Sequence, residues 1–97
     1  MPFPQQTPRA LTNANVEAIT PGLMGVYGLF KLNQWVYIGR GDIRSRLLAH
    51  IGGDNPCITI QAPTHWVDEV TADHVNREKQ LIAELGPTSC NVQLRQG

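Results

Sequence analysis

Apolar positions are scattered through the first twenty residues and become dense from Leu23 onward. Residues 1–20 are rich in Pro, Gln, Asn and Thr and carry no apolar periodicity, so they read as a flexible arm with room for a short helical turn around residues 15–19. Residues 23–30 (LMGVYGLF) form an apolar run of strand length, and residues 35–38 (WVYI) form a second β-rich run. The polar break at residues 31–34 between them predicts an antiparallel hairpin. Gly39 to Gly41 should stop the second strand, with Asp42 placed to cap a helix over residues 43–51, where Ile43, Leu47 and Ile51 recur at every fourth position. Gly52 and Gly53 should end that helix.

Residues 54–64, with Asn55-Pro56 and Ala62-Pro63, predict a loop. Residues 65–70 (HWVDEV) predict a third strand, and Thr71 is placed to cap a helix over residues 72–85 that Gly86-Pro87 closes. The order is β-β-α-β-α, an α+β domain over residues 21–97 with a small antiparallel three-stranded sheet flanked by helices.

Composition changes this picture little. Ninety-seven residues with 41% apolar content suit one compact domain. No apolar run nears the roughly 20 residues of a membrane helix, and the N-terminus has no signal-peptide core, so no membrane association and a cytoplasmic location are expected. Cys57 and Cys90 allow at most one disulfide, and without a secretion signal free thiols are expected. No CxxC or HxxxH pair points to zinc. Charge matters more in its distribution than in its sum of zero. Residues 21–50 carry Lys31, Arg40, Arg44 and Arg46 against Asp42 alone, whereas residues 66–86 carry five acids against Arg77 and Lys79. One half could meet phosphate and the other a cation; the alternative is mutual neutralisation across the surface.

Several side chains stand out against this pattern. In the last helix, Glu78 falls on the stripe made by Val75, Ile82 and Leu85. A carboxylate there is either paired with an arginine at the stripe's edge or a metal ligand, since burying it alone is costly. Arg46 and His50 share one face of the first helix at i, i+4 spacing. Arginine matches a phosphate with a planar fork of donors, and histidine can move a proton near neutral pH or simply favour a helix C-terminus. Tyr27 and Tyr37 lie on the two hairpin strands, and their rings share a face only in a suitable register.

The order of these residues resembles a known family. Gly25-Val26-Tyr27, nine residues, then Tyr37-Ile38-Gly39 is similar to the paired motif of the GIY-YIG nucleases. The resemblance continues through Arg46, His50, Glu78 and Gly86-Pro87 to Asn91, and covers most of the chain. It implies a DNA endonuclease that uses one divalent metal, Mg²⁺ or Mn²⁺. Tyr27 would take a proton from the attacking water, with Tyr37 or His50 assisting, and Arg46 would neutralise phosphate charge. Glu78 would hold the metal. Lys31, Arg40, Arg44 and Asn91 would contact DNA, Asn91 by positioning one edge of the site. Arg46 and the metal are the groups expected to depress the Tyr27 pKa far enough for it to act as a base. The zero net charge keeps a second reading open, a module of weak catalysis that binds DNA or a protein partner, with a homodimer among the arrangements. A third is an interaction domain anchored by Trp35 and Trp66.

Overall fold

The structure, a computed structural model, describes residues 2–91. Strand β1 (Arg9–Ala10) and helix α1 (Asn13–Glu17) come first, followed by the hairpin strands β2 (Met24–Lys31) and β3 (Gln34–Asp42). Helices α2 (Ile43–Ile51) and α3 (Pro56–Gln61), strand β4 (His65–Val70) and helix α4 (His74–Leu85) complete the chain. All strand pairs are antiparallel, in the order β1-β4-β2-β3. The sheet therefore has four strands, not the three expected, and the α+β layering stands. The extra strand comes from residues expected as an arm: Arg9 and Ala10 pair with Trp66 and His65.

Strand β2 lies inside the sheet, between β3 and β4, and is covered on both faces. Its unbroken apolar run follows from that position, because residues pointing either way meet core. On one face Val16, Tyr27, Leu29, Val36, Leu47 and Trp66 pack beneath α1, α2 and α3. On the other, Phe3, Val26, Ile38 and Val67 pack against Leu81 of α4. Residues 2–20 are part of both layers. Phe3 and Val16 are buried, and Thr12 caps α1 by accepting from Asn15 N. The stripe of α4 centres on Leu81, which is fully buried, with Ile82 and Leu85 beside it, whereas Val75 is exposed. Trp66 is buried rather than available to a partner.

The hairpin register contains one irregularity that decides where its side chains point. Lys31 pairs with Gln34 and Phe30 with Trp35, but Leu29 pairs with Tyr37, leaving Val36 as an extra residue. Without that bulge Tyr37 would stand opposite Gly28, on the other face. With it, Leu29↔Tyr37 and Tyr27↔Gly39 are cross-strand pairs on the same face, because a one-residue slip flips every side chain beyond it. Beyond Ile38 the strand does not stop at Gly39 to Gly41 as expected; it runs on to Asp42, whose side chain then caps α2 by accepting from Ser45 N.

The bulge is held from the outer edge of the sheet. Ser89 N donates to Trp35 O (3.2 Å) and Cys90 N to Val36 O (2.8 Å). This edge segment is tied to α3, which occupies residues expected as a loop, by a disulfide between Cys57 and Cys90. The expectation of free thiols is thereby corrected: folding brings α3 and the segment after α4 side by side at the β3 edge. The bond spans a sequence separation of 33 residues, a loop whose closure is worth about 2–4 kcal/mol. Full reduction should lower the urea midpoint of unfolding by a corresponding amount. An unchanged midpoint after verified reduction would show that the bond does not brace this edge.

Candidate active site

Every residue that the bulge and α2 bring together lies on the face under α2. The Tyr27 ring centroid is 6.3 Å from that of Tyr37 and 5.6 Å from that of His50, and Tyr37 and His50 meet edge to face at 5.3 Å. Gly39, opposite Tyr27, makes room for this cluster: a Cβ at that position would fall on the Tyr27 hydroxyl. The Tyr27 hydroxyl bonds to His50 Nε2 at 2.8 Å. Asp54, just past α2, completes the line. One of its carboxylate oxygens is 2.8 Å from His50 Nδ1, and the other accepts from Arg46 Nη2 at 3.1 Å.

The sequence places Asp54 there through the end of α2. Gly53 has φ +92, a left-handed backbone that glycine adopts freely, and Asp54 N donates back to Ala49 O at 3.2 Å. The chain folds under the last turn, so a residue four beyond His50 still reaches its ring. Asp54 did not stand out in the sequence because Gly52-Gly53 reads as the end of any helical spacing. An acid at i+4 from a histidine and i+8 from an arginine was the available signal.

Glu78 sits on the far side of Tyr37. Its carboxylate is 3.5 Å from Arg40 Nε, and its side chain is 23% exposed. Both alternatives for it therefore retain a basis: it is at the edge of the buried stripe with an arginine partner, and it remains open to solvent. The other expected DNA contacts are dispersed. Arg40 is exposed beside Glu78. Arg44 points toward α1, with Nε 3.5 Å from Glu17 O. Lys31 ends β2 at the hairpin turn, five residues from Val26, the partner of Arg40, or about 16 Å along the strand. Asn91 is buried, and its amide is consumed by β3: Oδ1 accepts from Ile38 N (2.8 Å) and Nδ2 donates to Ile38 O (3.1 Å). It braces the strand between Tyr37 and Gly39 by hydrogen bonding from a buried position.

Burial dominates the electrostatics. It pushes the Tyr27 phenol above its ordinary range, with Tyr37 adding to the rise and Arg46 opposing it too weakly to win. Arg46 thus lowers this phenol in the expected direction, but within the protein alone burial outweighs it. Tyr37 is raised by burial and by the Glu78 charge. His50 is lowered by burial, against the pull of Asp54. Glu78 is raised by burial, against Arg40. At neutral pH the inner pair is a neutral phenol on a neutral imidazole, and the charged groups stand outside it.

These directions fix a pH dependence of stability. The folded His50 pKa lies below the unfolded value, so the unfolded chain binds more protons as pH falls below about 6.5. His50 therefore contributes stability above that pH, and this is lost toward acid. Glu78, raised by burial from its ordinary 4.5, acts oppositely: its contribution is present in acid and is lost as pH rises through its raised value. Between pH 7.5 and 5.5 the urea midpoint should fall, and His50→Gln should flatten that fall. An equally steep fall in the variant would assign the dependence to other groups.

The chain matches no family model, no curated protein and no solved structure.

Proposed function

We propose that the domain is a metal-dependent endonuclease that hydrolyses DNA phosphodiester bonds, as its resemblance to the GIY-YIG nucleases implies. The observation that carries this reading is the convergence of Tyr27, Tyr37, Arg46 and His50 on one face; Glu78 comes from α4 in the other layer, near enough for its charge to raise Tyr37. Tyr27, Tyr37, Arg46 and His50 meet there only through the bulge and the packing of α2 against the sheet.

The donor set suits Mg²⁺ or Mn²⁺. Among the described residues no three of His, Cys, Asp or Glu gather into a cage. Glu78 offers a single, partly exposed carboxylate, the kind of protein ligand Mg²⁺ accepts when waters and substrate phosphate complete its shell. Bound there, the metal would polarise a phosphoryl oxygen and stabilise the leaving oxygen.

The protein's own groups divide the remaining work. Arg46, whose side chain is 41% exposed, turns its fork from Asp54 toward the scissile phosphate and offsets its developing charge. That movement uncovers the Tyr27 hydroxyl, which is buried when Arg46 lies against it. Tyr27 then takes a proton from the attacking water as its own proton passes to His50 Nε2. A phenol whose pKa is raised is a poor base by itself; in this relay the imidazole is the final acceptor. Tyr37, which feels the charges of both Arg46 and Glu78, stands between the phosphate and the metal, and Arg40 meets the DNA backbone beside Glu78.

Supercoiled plasmid and branched DNA incubated with the protein should be nicked with Mg²⁺ and not without it. Glu78→Gln should keep the fold and abolish the Mg²⁺-stimulated rate. Tyr27→Phe, which preserves the ring, should lower the rate by roughly 10²–10⁴-fold, the usual worth of positioned proton transfer. Wild-type rates in both folded variants would overturn the mechanism. Gel-shift binding without cleavage by the wild type under Mg²⁺ and Mn²⁺ would favour a DNA-binding module.

A further inference from the structure

We infer that Asp54 is a positioning residue of this site, its two carboxylate oxygens fixing the proton on His50 Nδ1 and the reach of Arg46, so that His50 Nε2 faces the Tyr27 hydroxyl as an acceptor. The inference rests on the nuclease reading for its purpose and on geometry alone for its physical content.

A carboxylate only accepts hydrogen bonds. The 2.8 Å contact between Asp54 Oδ1 and His50 Nδ1 therefore places the imidazole proton on Nδ1. Nε2 is left with a lone pair, and the group 2.8 Å from it is the Tyr27 O–H, which must donate. The direction of the whole line, Tyr27 to His50 to Asp54, is set at its outer end. If the proton sat on Nε2 instead, the imidazole would donate to the phenol oxygen and could not take its proton. The second oxygen of Asp54 accepts from Arg46 Nη2 at 3.1 Å, so the same carboxylate parks the guanidinium beside the phenol. The charge also stabilises the imidazolium formed when the proton arrives. The ionisable groups facing His50 are Tyr27 from β2, Tyr37 from β3, Arg46 from α2 and Asp54 itself. Asp54 supplies the only negative charge among them.

Asparagine at position 54 tests this with almost no change in shape. Arg46 still requires an acceptor, so the amide oxygen turns to Arg46 and the NH₂ faces Nδ1. Nδ1 must then accept, and the proton moves to Nε2. Nitrogen-15 NMR of the histidine rings near pH 7.5, with His50→Gln assigning the signal, should show the Nδ1–H form in the wild type and the Nε2–H form in Asp54→Asn. Asp54→Glu should restore the wild-type form at least in part. For nicking, Asp54→Asn should lower kcat 10–100-fold with little change in KM. Its acidic limb should move to lower pH, because His50 loses the charge that held its proton. A wild-type His50 in the Nε2–H form overturns the proposal even if the Asn variant fails to fold, and so does an Nδ1–H form in folded Asp54→Asn. Absence of nicking by the wild type would count against the nuclease reading, while the NMR arm still decides the role of Asp54.

Discussion

One surplus residue in the hairpin sets the geometry of the candidate site. Val36 has no cross-strand partner, and the slip it introduces reverses the facing of everything beyond it on β3. Tyr37 is turned onto the face that holds Tyr27, and Gly39 is set opposite the Tyr27 ring, where any side chain would collide with the phenol. A regular hairpin from the same turn would have buried Tyr37 under α4, a full sheet thickness from Arg46 and His50. The bulge is not left to the hairpin alone. Cys90 N holds the Val36 carbonyl, Asn91 clamps Ile38 through both ends of its amide, and the disulfide to α3 fixes the segment that does so.

Burial then sorts the groups by charge. The phenol of Tyr27 and the imidazole of His50 lie in the core and are both kept neutral by it. The guanidinium of Arg46 and the carboxylates of Asp54 and Glu78 keep substantial contact with water. Desolvating a charge costs far more than desolvating a hydrogen-bonded neutral group, so the arrangement is the cheaper of the two orders. It also gives direction. A proton entering at the phenol finds a neutral base behind it and an anion behind that.

The sequence conveyed the elements better than their sides. The hairpin, α2 with its Asp42 cap and β4 are readable from runs, periods and caps, because these are local properties of the chain; α4 is readable from its stripe, but it begins at His74 behind Asp73, and Thr71, expected to cap it, instead accepts from Asp73 N outside the helix. The facing of Tyr37 was not readable, since a bulge depends on pairing partners and on the edge segment that steadies it. Strand β1 and the burial of Phe3 escaped for a related reason: two residues pairing with β4 leave no period in a Pro- and Gln-rich stretch. α3 was hidden by the prolines around it, although Asn55 caps it and Pro56 begins it. Of the site, Tyr27, Tyr37, Arg46, His50 and Glu78 were recognisable by order, whereas Asp54 was concealed behind two glycines. Asn91 was singled out, but its burial turns an expected DNA contact into a brace.

The zero net charge of the chain has a local counterpart that bears on how such a site would meet DNA. Arg46 is already held by Asp54 and Arg40 by Glu78, so neither arginine is a free positive charge in the unliganded protein. On the nuclease reading a phosphate would have to displace a carboxylate at each, and the gain on binding would be the difference between two ion pairs. Such a surface would attract nucleic acid weakly at a distance, where only the sum of charges is felt. It would discriminate at contact, where a phosphate that draws Arg46 away would also open the path to Tyr27. Weak capture coupled to contact-dependent exposure of the phenol is the behaviour these paired charges would produce, and it would leave affinity to be supplied by DNA shape or by a partner.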